Sequence, residues 1–117
     1  MPTTEDYRIS HAERGATYDD TLATTPFDNY MAEWERQHLT RIVRERFPQR
    51  VGRYLDFACG TGRITATVAP LCDEAVGVDI SASMLDAARR KLPSVQFHRR
   101  DLTADGGEDL GQFDLVT

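Results

Sequence analysis

A chain of 117 residues has the length of a single domain built around one hydrophobic core. Its hydrophobic share of 40% and charged share of 28% are those of an ordinary globular protein, which argues against a disordered or membrane-embedded chain. The net charge of −5 argues against broad, sequence-blind adhesion to nucleic acid. No apolar run approaches the roughly 20 residues that a membrane-spanning helix needs. The N-terminus, Met-Pro-Thr-Thr-Glu-Asp-Tyr, carries neither a basic start nor an apolar stretch, so no secretory signal is read there and a cytoplasmic location is expected.

In chain order, residues 1–24 read as a polar arm with isolated aromatics at Tyr7 and Tyr18 and one short helix around Ala12 to Asp19. A clearer helix follows, with Thr25 as its cap, Pro26 at the first helical position and Asp28 in the first turn. Phe27, Tyr30, Met31, Trp34, Leu39, Ile42, Val43 and Phe47 recur at helical spacing, and the stripe they form is expected to lie in the core. Pro48 ends that helix. Tyr54–Phe57 reads as a strand, Ala58–Gly62 as a loop, and a helix with Ile64, Val68 and Leu71 on one face starts near Arg63. Ala75–Asp79 is a second strand, Ser81–Arg89 a capped helix with Met84, Leu85 and Ala88 facing inward, and Ser94–His98 a third strand. A Gly- and Asp-rich loop, Thr103 to Gly111, leads into a fourth strand over Phe113–Thr117. Alternation of strands and helices predicts an α/β fold with a parallel sheet, its first strand central.

Two basic groups, Arg41, Arg44, Arg46, Arg50 and Arg53, and then Arg89, Arg90 and Lys91, read first as solvated faces and helix C-terminal charges. Nucleic-acid contact is the lesser alternative. Cys59 and Cys72 are too few and too far apart for a disulfide framework or a zinc site, so no metal is expected and Cys59 is read as a small buried residue.

In an open parallel sheet, ligands bind beyond the carboxyl ends of the strands. Those ends carry a glycine loop after the first strand, Asp79 after the second and Asp101 after the third. Gly60 and Gly62 allow a sharp turn and close approach of a ligand to the backbone. Asp79 stands 17 residues past Gly62, near the spacing at which an acid accepts hydrogen bonds from ribose hydroxyls. Asp101 is placed to accept from an adenine amine. Each feature alone is weak, since a G-x-G pair is common in turns and Asp79 or Asp101 can serve a cap or a turn; their conjunction describes a pocket for an adenosine.

The charge of the site selects among adenosine ligands. A dinucleotide fingerprint requires G-x-G-x-x-G, and its third position is occupied by Thr65. Asp56, four residues before Gly60, would repel a pyrophosphate at short range. An acid in an apolar central strand is expensive unless paired, and a carboxylate there suits a cationic ligand better than a phosphorylated one.

The stretch Y-L-D-F-A-C-G-T-G-R resembles the first motif of class I S-adenosylmethionine-dependent methyltransferases. V-G-V-D-I-S-A-S-M-L is similar to their second motif, H-R-R-D-L to their third, and F-D-L-V-T to the start of their fourth strand. The resemblance spans about Arg53 to Thr117, and the combination is far more specific than any one piece. It implies a Rossmann-like three-layer sandwich that takes S-adenosylmethionine as cofactor. Asp56 would hold the methionine ammonium, directly or through water, above a loop lined by Ala58, Gly60 and Gly62; Ala58 stands where many relatives have glycine. Asp79 would clamp the ribose, Ile80 and Met84 would pack against the adenine, and Asp101 with the backbone of Leu102 would read the adenine edge. Tyr7 or Tyr18 of the N-terminal arm would help close the site.

Such enzymes work largely by holding the acceptor in line with the methyl group. Their acceptor-binding residues usually follow the fourth strand, so no catalytic residue is assigned and the acceptor is left open between small molecules and macromolecules. Residues 25–117 are thus expected to be a partial methyltransferase domain, inactive alone, whose fourth-strand edge invites self-association. The competing readings are a non-catalytic binding module and a fragment of an NAD-dependent oxidoreductase.

Overall fold

The structure, a computed structural model, describes residues 26–117. The Thr25 cap, the short helix around Ala12 to Asp19, and Tyr7 and Tyr18 lie outside the described residues. Helix α1 (Pro26–Arg46) leads to β1 (Val51–Phe57), α2 (Arg63–Val68) with a 3-10 turn at Ala69–Leu71, and β2 (Cys72–Asp79). Then come α3 (Ala82–Lys91), β3 (Gln96–Arg99), α4 (Leu102–Asp105), a second 3-10 turn at Glu108–Leu110, and β4 (Leu115–Val116). All pairings are parallel, in the order β3-β2-β1-β4. The chain steps outward from β1 to β3 and then returns to the other side of β1. Such a reversal opens a crevice at the carboxyl end of β1, where ligands of open α/β sheets bind.

Each face of the sheet has its own cover. Tyr54, Val51, Val68, Val43 and Cys72 form one buried cluster, joined by Leu39 of α1, Phe47 just past its end and Ile64 of α2. Leu85 and Ala88 of α3 pack with Phe97, Val95 and Cys59. On the opposite face Leu55, Val76 and Val78 are covered by Leu102, Leu110 and Phe113. The segment 103–111, read from sequence as a loop, is therefore partly helical. Apolar Leu102 and Leu110 anchor it, and Arg100 clasps it by ion pairs to Asp105 (2.8 Å) and Asp109 (2.7 Å).

Strands β1 and β2 begin earlier than their apolar runs suggest, because charges at their starts are paired across the sheet. Arg53 lies in register with Glu74 and bonds it at 2.9 Å, while Arg50 bonds Asp73 at 2.8 Å and the Cys72 carbonyl at 2.5 Å. Arg53 also lies over the Phe113 ring, 4.5 Å from its centroid, and donates to the Gln112 carbonyl. These partners account for Arg50 and Arg53 as structural residues.

Helix α1 corrects one expectation. Leu39, Val43 and Phe47 pack inward, but Phe27, Tyr30, Met31, Trp34 and Ile42 are exposed, Phe27 by 70%. The helical spacing is right; the burial is not. Twenty-one residues of α1 extend about 31 Å, whereas the six-residue α2 beside it extends about 9 Å and covers only part of the stripe. Trp34 instead stacks on His38 of its own helix, with centroids 4.8 Å apart.

Candidate functional site

The loop after β1 turns through three left-handed residues, Ala58 (φ 56°), Gly60 (φ 58°) and Gly62 (φ 84°). Glycine takes this conformation freely; alanine pays roughly 1–2 kcal/mol for it. Three of the loop's amides are taken up by acceptors of the protein itself. Cys59 N–H donates to the Val78 carbonyl at 2.9 Å, Gly60 N–H to Asp79 Oδ2 at 2.8 Å, and Gly62 N–H to the Cys59 carbonyl at 3.0 Å. The missing side chains also face inward. A Cβ on Gly60 would lie 3.3 Å from the Met84 sulfur, and one on Gly62 would lie 3.2 Å from Leu92 Cδ1. The expectation that both glycines open the backbone to a ligand is thus redirected: they let the loop settle onto α3.

Asp79 closes the loop. One carboxylate oxygen receives Gly60 N–H and the other receives Ser81 N–H at 2.9 Å, just ahead of α3. Ser81 in turn caps α3, its hydroxyl accepting from Met84 N–H. Since each carboxylate oxygen has two acceptor directions, Asp79 keeps acceptor capacity for a further donor. Asp79 and Gly60 are therefore neighbours, as a shared site requires.

Asp56 lies beneath them, 4% exposed, on the sheet face it shares with Gly77. Thr65, fully buried on α2, donates its hydroxyl to Asp56 Oδ2 at 2.6 Å. The hydroxyls of Thr117 and Tyr54 also stabilise the charged form, and they meet each other at 2.7 Å. Burial nevertheless dominates and holds the Asp56 carboxyl above the ordinary carboxylate range, with the Asp79 charge adding to the effect. Among the described residues the groups around Asp56 are hydroxyls and a second carboxylate; no Lys or Arg pairs with it. Sequence reading used Thr65 only as a missing glycine. Its signal was there all the same, since a Thr one helical turn past Gly62 has its Cβ tilted back toward the loop.

The remaining candidates separate into those at the rim and those in the core. Ile80 is half-buried at the end of β2, its carbonyl receiving Arg99 Nε at 3.0 Å. Asp101 caps α4, Oδ1 accepting Thr103 N–H at 3.1 Å and the Thr103 hydroxyl. The Leu102 N–H opens α4, where a first-turn amide has no helical acceptor. Met84 is 3% exposed beneath Gly60, and the Leu102 side chain packs on the far face of the sheet. Gly77, not singled out from sequence, makes the arrangement possible: a Cβ there would come within 2.6 Å of Phe97 Cδ1 and 3.1 Å of Cys59 Sγ. Cys59 is free and buried, its thiol pushed up to about 12 by burial and then by the Asp56 and Asp79 charges, so it stays protonated at neutral pH.

A parallel sheet reversing at β1, with acids at two adjacent strand ends around a glycine loop, makes this an α/β protein with a candidate ligand site at that loop. A family model described as "Methyltransferase domain" matches residues 54–117, which take in the loop, the second half of β1 and the other three strands. The putative methyltransferase YqeM of Bacillus subtilis is 36% identical over 104 residues, covering 86% of this chain and 38% of that protein. DhpI, solved with SAH, superposes with a TM-score of 0.67 at 28% identity, covering 86% of this chain and 46% of that one. CalS10, an amino pentose methyltransferase from Micromonospora echinaspora solved with SAM, gives a TM-score of 0.59 at 31% identity, covering 75% and 38%. The chain belongs to the class I, Rossmann-like methyltransferase family. It spans less than half the length of these relatives.

Proposed function

We propose that this chain is the S-adenosylmethionine-binding portion of a methyltransferase acting on a small-molecule acceptor. The observation that carries the reading is the pair Asp56 and Asp79, two carboxylates around one loop with no basic partner among the described residues. The Cys59, Gly60 and Gly62 amides are already bonded within the protein, which supports the same choice, since phosphate cradles present free N–H groups to the ligand. S-adenosylmethionine, when bound, supplies an electrophilic methyl group on a sulfonium and brings an ammonium with it.

In this reading Asp56 meets the ammonium end, and Asp79 accepts from the ribose with the acceptor directions its two backbone amides leave open. Ile80 lines the adenine, with Asp101 and the Leu102 N–H at its polar edge. Ala58, Gly60 and Gly62 set the loop's shape, and Met84 supports Gly60 from below. Helices α2 and α3 fix these groups to the sheet, so orientation is built into the fold; preorganisation of this kind supplies much of the rate in proximity-driven transfer. The names of the relatives support a small acceptor, an amino pentose for CalS10 and magnesium protoporphyrin for an O-methyltransferase of Rhodobacter capsulatus that is 36% identical over 88 residues.

Calorimetry with S-adenosylhomocysteine and with NAD tests the reading. Saturable binding of the first and none of the second is expected. Binding of NAD in preference would overturn it.

A further inference from the structure

We infer that Thr65 is a positioning residue for the ligand's amino-acid end, its hydroxyl fixing the orientation of Asp56 without neutralising it. This rests on the reading of the site given above and extends it to a residue that touches no ligand. Thr65 is completely buried inside α2, where a hydroxyl is costly unless bonded and where a valine of the same shape would suit an apolar helix face. Its bond partner is Asp56 Oδ2 at 2.6 Å. One carboxylate oxygen is thereby tied to a helix that is itself packed into the core by Val68 and Ile64.

The kind of partner matters as much as its position. An arginine here would hold the carboxylate equally well and would cancel its charge. Hydroxyls from Thr65, Tyr54 and Thr117 leave the negative charge in place for an incoming cation. A dinucleotide fingerprint has glycine at this position to let helix and strand approach. Thr65 fills that space with a donor aimed at the acid, which converts a packing position into one that sets ligand charge.

The test uses the 117-residue chain and two probes, S-adenosylhomocysteine and 5′-methylthioadenosine, which keeps the adenosine and sulfur and lacks the amino-acid end. Thr65→Val should weaken S-adenosylhomocysteine roughly tenfold, the size of one charge-assisted hydrogen bond, and leave methylthioadenosine within about twofold. Thr65→Ser should restore the wild-type ratio. In an Asp56→Asn background Thr65→Val should change neither affinity. Equal losses for both probes, no loss for either, or a loss that persists in the Asp56→Asn background would overturn the inference. Should Thr65→Val give no cooperative thermal transition, Thr65→Ala carries the same comparison with less crowding. A wild-type chain that binds neither probe removes the reading of the site itself. One that binds both keeps that reading whatever the Thr65 variants do.

Discussion

The inner and outer sides of the loop Ala58–Gly62 obey different rules. Inside, the absent side chains of Gly60 and Gly62 are matched to Met84, Leu92 and Ala88, and Gly77 makes room for Phe97. Outside, the Asp79 carboxylate at the end of β2 keeps acceptor capacity beyond the Gly60 and Ser81 amides it holds. The comparison teaches that the glycines and the acids of one motif divide the work. Glycines set how closely the loop lies on α3; in the function proposed above, carboxylates set what charge it receives.

Gly62→Val attacks the inner side and has the largest expected effect. It forces a β-branched residue into a left-handed conformation against Leu92, costing about 3 kcal/mol of stability, read as a lowered midpoint in denaturant unfolding. Asp79→Ala attacks the outer side and breaks the division, because the same carboxylate holds the Gly60 amide of the loop and the Ser81 amide ahead of α3. Affinity for S-adenosylhomocysteine should fall by about 1.5–3 kcal/mol, with a smaller loss of thermal stability alongside. Unchanged affinity would take Asp79 out of the site.

Asp56→Asn sharpens the contrast, since it should separate stability from binding. The folded carboxyl titrates above its ordinary value of 3.8, mainly through burial. Its ionisation therefore penalises the fold: the penalty is absent below about pH 4 and grows as pH rises through the folded pKa. The asparagine variant escapes it, so its melting temperature should gain on the wild type from pH 4 to pH 7 while its affinity for S-adenosylhomocysteine falls. A difference that stays flat with pH would show that Asp56 is not the group titrating. Ala58→Gly has the smallest effect. Relief of left-handed strain, offset by the flexibility of glycine in the unfolded chain, should leave a gain of about 0.5 kcal/mol and unchanged binding.

The α/β alternation, the central place of β1 and the gathering of acids at the strand ends are legible in the sequence because period and spacing encode them directly. Burial is less so. The α1 stripe has one periodicity throughout, yet Val43 is buried and Phe27 is not, since cover depends on what lies opposite. Segment 103–111 reads as a loop because its glycines and acids mask Leu102 and Leu110, which hold it to the sheet. Thr65 and Gly77 escape notice for a related reason: their roles exist only between elements, through Asp56 in one case and Phe97 in the other.

The attachment of β4 carries a consequence of its own. Beside the ladder bonds of Leu55 and Phe57 with Thr117, β4 is fastened to β1 through Arg53, whose backbone exchanges hydrogen bonds with Asp114 and whose guanidinium reaches Gln112, Glu74 and the Phe113 ring. Gly52 leaves the gap into which the Asp114 carboxylate fits. Arg53→Ala should therefore loosen this attachment and speed deuterium exchange at the Asp114 amide relative to the amides of β2, and high salt should act on the wild type in the same direction by screening the Arg53–Glu74 pair.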